Sequence, residues 1–158
     1  MCIRDRAGAA GFGRTVHAGE SSGPEGVRDA LDLLEADRLD HGVRGAEDPA
    51  LLRRLAETQV PLNVCLTSNL TLLYRRPEDH PLRRLLDAGA AVTLSRDDPM
   101  FLGGLTLTEE LERAASFARM TREELIACQE AAVSAAFCGE ETRAALRAEL
   151  EAFRSGLQ

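Results

Sequence analysis

Four times in succession, a short β-prone run ends in polar residues and gives way to a stretch of helical periodicity. Each unit takes ~25–35 residues, the length of a strand plus its crossover helix. Strands that alternate with helices in this way form a parallel sheet, because parallel neighbours cannot be joined by a hairpin. The first strand is read over Arg14-Thr15-Val16 and ends at His17. Ser22-Gly23-Pro24-Glu25 then has the form of a capping box, with Val27, Ala30, Leu31 and Leu34 at helical spacing behind it. Arg38 to Val43 reads as the second strand, carrying His41 near its end. Asp48-Pro49 supplies an N-cap and an N1 proline for a helix through Leu51, Leu52, Leu55 and Ala56. Val60 to Cys65 is the third strand, ending in Thr67-Ser68-Asn69, and a helix from about Pro81 to Ala88 stops at Gly89. Ala91 to Ser95 is the fourth strand, running into Asp97-Asp98-Pro99.

After residue 105 no further strand is read. Thr106-x-x-Glu109 and Thr121-x-x-Glu124 are capping boxes, and Glu140 or Glu141 opens a last helix. The expected domain therefore runs over 7–158, with βα units over 7–105 and helices over 106–158. Residues 1–6, Met-Cys-Ile-Arg-Asp-Arg, fit no part of this pattern and read as a non-native leader, followed by a small, flexible stretch from Ala7 to Gly13.

The net charge of −7 and the lack of a Lys/Arg-rich stripe weigh against a nucleic-acid partner. A small anionic or neutral metabolite, or a cation, suits the chain better. No apolar run reaches the ~18 residues of a membrane span. Four cysteines without C-x-x-C spacing, Cys2, Cys65, Cys128 and Cys138, read as reduced thiols of a cytoplasmic protein.

His17, His41, the Thr67-Ser68-Asn69 tip and Asp97-Asp98 all fall at the C-terminal ends of expected strands. That end of a parallel βα architecture carries the site, since its loops share one mouth. Gly19, between His17 and Glu20, suits a sharp bend at the strand tip. Asp98 before Pro99 would serve as an N-cap. Two adjacent carboxylates at the end of an apolar strand nonetheless call for a cation or a shared proton to relieve their repulsion. Counting by twos from Thr93 places Ser95 and Asp97 on the inward face. Histidine and aspartate without thiolates suit a hydrolytic zinc site, and Cys65 reads as a small buried hydrophobe.

Four segments in order, His17-Ala18-Gly19-Glu20, Arg38-Leu39-Asp40-His41-Gly42-Val43-Arg44, Val64-Cys65-Leu66-Thr67-Ser68-Asn69 and Ser95-Arg96-Asp97-Asp98-Pro99, resemble the signatures of the adenosine deaminase family, which are zinc-dependent (β/α)8 barrels. The resemblance covers about residues 10 to 118. It implies that His17 and Asp97 are zinc ligands and that Glu20 protonates N1 of a purine. His41 would orient or deprotonate the zinc-bound water. Asp98 and Gly19 would contact the substrate, with Asp98 also steadying the attacking hydroxide. Ser95-Arg96 stands where the family usually has Asn-Thr or Asn-Ser, and Leu66 where it usually has proline. The His-x-His pair of the family's first strand occurs nowhere in this sequence. A barrel of this type needs ~250 residues, so the chain is expected to be its C-terminal half, about four βα units followed by helices.

The reaction implied is zinc-dependent hydrolytic deamination of a 6-aminopurine nucleoside or nucleobase. Adenosine, going to inosine and ammonia, is the leading substrate, and adenine, going to hypoxanthine, the alternative. Asp40, at a position where glycine is common, leans toward adenine. The third reading is a non-catalytic remnant lacking the His-x-His ligands.

Overall fold

A computed structural model describes residues 3–156. Four strands, β1 (Thr15–Ala18), β2 (Arg38–His41), β3 (Leu62–Val64) and β4 (Val92–Leu94), form one sheet in chain order, every pair parallel. Helices α1 (Ile3–Ala9), α2 (Pro24–Asp32), α3 (Pro49–Thr58), α4 (Leu66–Leu72) and α5 (Leu82–Asp87) flank or link the strands, and α6 (Leu107–Ala118), α7 (Arg122–Ala135) and α8 (Glu140–Gly156) follow. This is the expected α/β half-barrel of four βα units with C-terminal helices.

The strands are shorter than the apolar runs that announce them, because each tip bends at once into a loop or helix. Their alternation divides the sheet into two faces. Val16, Leu39, Leu62 and Val64 lie on one side and pack with Val27, Leu55, Leu82 and Leu85 into the core. Leu39, Leu55, Leu62, Leu82 and Leu85 lose all contact with water, each contributing roughly 1.5–3 kcal/mol by burial. The other side carries a polar row in register, His17 beside Asp40, Asp40 beside Asn63 and Asn63 beside Thr93. Asn63 Nδ2 donates to Asp40 Oδ1 at 2.7 Å, and Thr93 Oγ1 donates to Asn63 Oδ1 at 2.7 Å. The interior of the half-barrel is therefore lined by mutually satisfied polar groups, not by exposed hydrocarbon.

Three local readings change. Residues 3–9 form α1, so the stretch from Ala7 begins as helix rather than as flexible chain; Met1 and Cys2 lie outside the described residues. The first cap sits at Gly23, not Ser22: Glu25 Oε1 accepts from Gly23 N at 2.8 Å, while the Ser22 hydroxyl accepts from Gly19 N at 3.4 Å. Thr67, Ser68 and Asn69 belong to the first turns of α4, not to a strand tip. The later caps form as expected. Asp48 accepts from Ala50 N and Leu51 N, and both threonine boxes close. Among the described residues no helix is long and apolar enough to cross a membrane. Cys65, Cys128 and Cys138 are free thiols. Burial, with Asp97 nearby, pushes Cys65 up to about 12, so it stays protonated and behaves as a small apolar side chain.

Candidate functional site

Two left-handed turns shape the mouth. Gly19 has φ +65, and a Cβ there would stand 2.5 Å from Val27 Cγ2 and 3.2 Å from the Gly42 backbone. Both conformation and space demand glycine, so its place in the His17-to-Glu20 segment has a structural cause. At the tip of β2, His41 itself takes φ +66, ahead of Gly42 at φ +67. Left-handed backbone at a non-glycine residue costs of order 1–3 kcal/mol and clusters at functional sites. Strict alternation would send His41 to the same side as Leu39. With the backbone turned, its ring is 1% exposed, lies 5.1 Å from the His17 ring, and brings Nε2 to 3.5 Å from Glu20 Oε2.

Glu20, His41 and Asp97 converge, each offering a ligand atom within 4.8 Å of the others. Asp97 is exposed and is gripped from α4, where Ser68 Oγ donates to its Oδ2 at 2.7 Å. His17 stands beside this cluster with its side chain 65% exposed, and its Nδ1 lies 3.3 Å from Asp40 Oδ2. Asp98 is also exposed, and its Oδ1 accepts from Met100 N at 3.2 Å, the local capping role open to it from sequence. Arg96 is exposed and reaches away, donating from Nη1 to Leu105 O at 2.8 Å. Imidazole nitrogens and carboxylate oxygens are the donor set a zinc ion takes, so the chemistry of the mouth fits such a cation. A groove of about 790 Å3 walled by Leu66, Leu70, Arg113 and Phe117 contains none of these groups.

Sequence reasoning missed two supports. Glu110 on α6 is fully buried and accepts from both the backbone N and the hydroxyl of Thr67, which fastens the first turn of α4. The signal was present: Leu107, Glu110, Leu111 and Ala114 share one face at helical spacing, and a carboxylate on an apolar stripe is buried only when something pairs with it. The second is His80, 5% exposed, with Tyr74 edge-on at 4.9 Å and Phe117 at 5.9 Å. Nothing local marks it beyond a lone histidine before proline.

Burial lowers the His80 pKa to about 4 from 6.5. The unfolded chain therefore binds a proton that the folded chain refuses between those two values. Stability is full above pH ~6.5 and falls as pH drops toward 4, by roughly 2–4 kcal/mol from this group. Melts of wild type and His80→Phe at pH 7 and 4.5 test this. The variant should lose less on acidification, and an equal loss would remove His80 as the source.

Parallel βα units whose strand tips gather imidazole and carboxylate groups define a (β/α)8-type barrel with a site suited to a metal cation. The chain belongs to the adenosine deaminase family, whose profile matches residues 3–153. It is 47% identical over 133 residues to a putative adenosine/adenine deaminase of Streptomyces coelicolor, covering 84% of this chain and 38% of that one. It is 46% identical over 147 residues to an adenine deaminase of Rhizobium leguminosarum, covering 92% and 45%. The fold matches the crystal structure of adenine deaminase from Arthrobacter aurescens with TM-score 0.87 and 32% identity, covering 97% of this chain and 47% of that one. A zinc-bound amidohydrolase from Burkholderia ambifaria matches with TM-score 0.85 and 31% identity, covering 98% and 44%. The chain spans less than half the length of each.

Proposed function

We propose that this chain supplies the C-terminal half of a zinc-dependent enzyme that hydrolytically deaminates a 6-aminopurine, with the free base adenine favoured over adenosine. The observation that carries the reading is the convergence of Glu20, His41 and Asp97 at the strand tips of a chain in this family. The choice of adenine replaces adenosine as the leading substrate. It is supported by relatives named adenine deaminases at 44–47% identity over most of this chain. Asp40, held by Asn63 and beside His17, points the same way.

His17 and Asp97 would hold the zinc together with ligands from outside this sequence, and the metal would supply a Lewis acid that brings the pKa of a water toward ~7. Glu20 donates a proton to N1 of the ring as water adds to C6, so the ring nitrogen gains the electron pair displaced from the C=N bond. His41 lies against Glu20 and directs the water. Asp98 and the Gly19 backbone hold the purine edge. Loss of ammonia from C6 restores the ring as a 6-oxopurine.

A chimera in which this chain replaces the matching half of the Rhizobium leguminosarum enzyme tests the reading. It should release ammonia from adenine with a kcat/KM at least ten times that for adenosine. A reversed preference would restore adenosine, and a zinc-loaded, folded chimera inert on both would sink deamination.

A further inference from the structure

We infer that His80, acting through Asn69, fixes the proton of His41 on Nε2 and thereby makes His41 a hydrogen-bond donor toward the mouth. A backbone N–H can only donate, and that of Leu82 meets His80 Nδ1 at 3.2 Å. His80 Nδ1 is therefore an acceptor. In the neutral ring, which burial enforces at ordinary pH, the proton sits on Nε2. That nitrogen lies 3.3 Å from Asn69 Oδ1 and donates to it. The amide is now oriented, so its Nδ2 faces His41 Nδ1 at 3.1 Å and donates there. His41 Nδ1 spends its lone pair on that bond, and the neutral His41 ring must carry its hydrogen on Nε2.

The three links have little access to water that could scramble the order. His41 is 1% exposed, Asn69 is fully buried and His80 is 5% exposed. An amide and an imidazole in the wrong state would each leave a buried donor facing a donor, which buried polar groups avoid. Two consequences follow for the mouth. An Nε2 that bears hydrogen has no lone pair to give a cation, so His41 stands apart from the ligand set although it lies within reach of Glu20 and Asp97. It also cannot take a proton at Nε2; it orients an oxygen atom by donating to it. His80 and Asn69 are thus positioning residues. What they position for rests on the deaminase reading, whereas the tautomer itself does not.

The sequence holds three histidines, so ring-15N labelling of the full chain gives a resolvable set. In metal-free protein at pH 7, the His41 Nδ1 should resonate as a bare, pyridine-like nitrogen and Nε2 as a protonated, pyrrole-like one. His80 should show the same pattern. A His41 proton on Nδ1, or two averaged nitrogens, overturns the inference. Asn69→Asp offers an acceptor to both rings, so the proton should appear on His41 Nδ1 while His80 stays as it was. An unchanged His41 would show that Asn69 does not set it. His80→Phe keeps the ring packing but frees the amide, and should turn the single His41 pattern into a mixture; a retained single pattern would take His80 out of the relay. In the chimera, Asn69→Asp should lower kcat by ~10–100-fold with KM little changed, the usual worth of an outer-sphere orienting group. A wild-type chimera without activity would instead count against deamination and leave the nitrogen pattern standing.

Discussion

Glu20→Gln in the chimera lowers kcat by ~10²–10⁴, the contribution of a positioned general acid, while zinc content stays at the wild-type level. The substitution keeps the volume and the hydrogen-bonding reach of the side chain but removes the transferable proton. On the reaction proposed above, water can still add to C6, but N1 would then take its proton from solvent. Asp97→Ala separates the two roles. Its oxygen is the one that Ser68 grips at 2.7 Å, and its loss should deplete zinc and activity together. Metal analysis beside steady-state kinetics reads both. Near-normal turnover in Glu20→Gln would remove Glu20 as the acid, and zinc lost from that variant would make it a ligand.

Glu110→Leu should destabilise the chain by roughly 2–4 kcal/mol, measured by urea unfolding. The carboxylate is fully buried and answers the Thr67 backbone N–H at 2.9 Å as well as the Thr67 hydroxyl. A leucine fits the surrounding apolar stripe but leaves two half-buried donors of Thr67 without their acceptor, at up to ~1–3 kcal/mol each, offset in part by the apolar surface gained. The α4 helix has no side-chain cap of its own, since Cys65 occupies the cap position. Its start therefore depends on Glu110, and from that first turn Ser68 reaches Asp97 while Asn69 reaches His41. Glu110→Gln retains an acceptor and should cost less than half as much. Equal losses in the two variants would mean that the carboxylate's charge, and not its acceptors, holds the helix.

How much of this was legible follows from how local each signal is. Asp48-Pro49, Thr106-x-x-Glu109 and Thr121-x-x-Glu124 are closed within a single turn, and all three helices begin where those residues place them. Ser22 misled because its hydroxyl is claimed by Gly19 N–H across the β1 turn, which shifts the cap to Gly23. The Thr67-Ser68-Asn69 segment read as a strand tip because the group that turns it into a helix lies on α6, 43 residues away. The strand ends were legible as the place where polar groups gather, since parallel βα units leave no other common mouth. Which groups meet there was not legible. His41 joins Glu20 and Asp97 only because its backbone turns left-handed, and period-two counting cannot foresee that. His80 was invisible for a different reason: its burial comes from Tyr74 and Phe117, on either side of it in sequence, closing over its ring.

The sheet's strands lie side by side in the order in which they are synthesised. Paired residues such as Asp40 with Asn63 and Asn63 with Thr93 are only 23 and 30 positions apart. Loops of that length close at similar entropic cost, so each unit can dock on the one before it without waiting for a distant partner. A chain emerging from the ribosome can therefore lengthen the sheet strand by strand. The mouth follows a different schedule, because its groups are distributed one unit at a time. His17 and Glu20 arrive with β1, His41 with β2, Ser68 and Asn69 after β3, and Asp97 only after β4. The carboxylate that Ser68 grips is thus the last of these groups to reach the mouth.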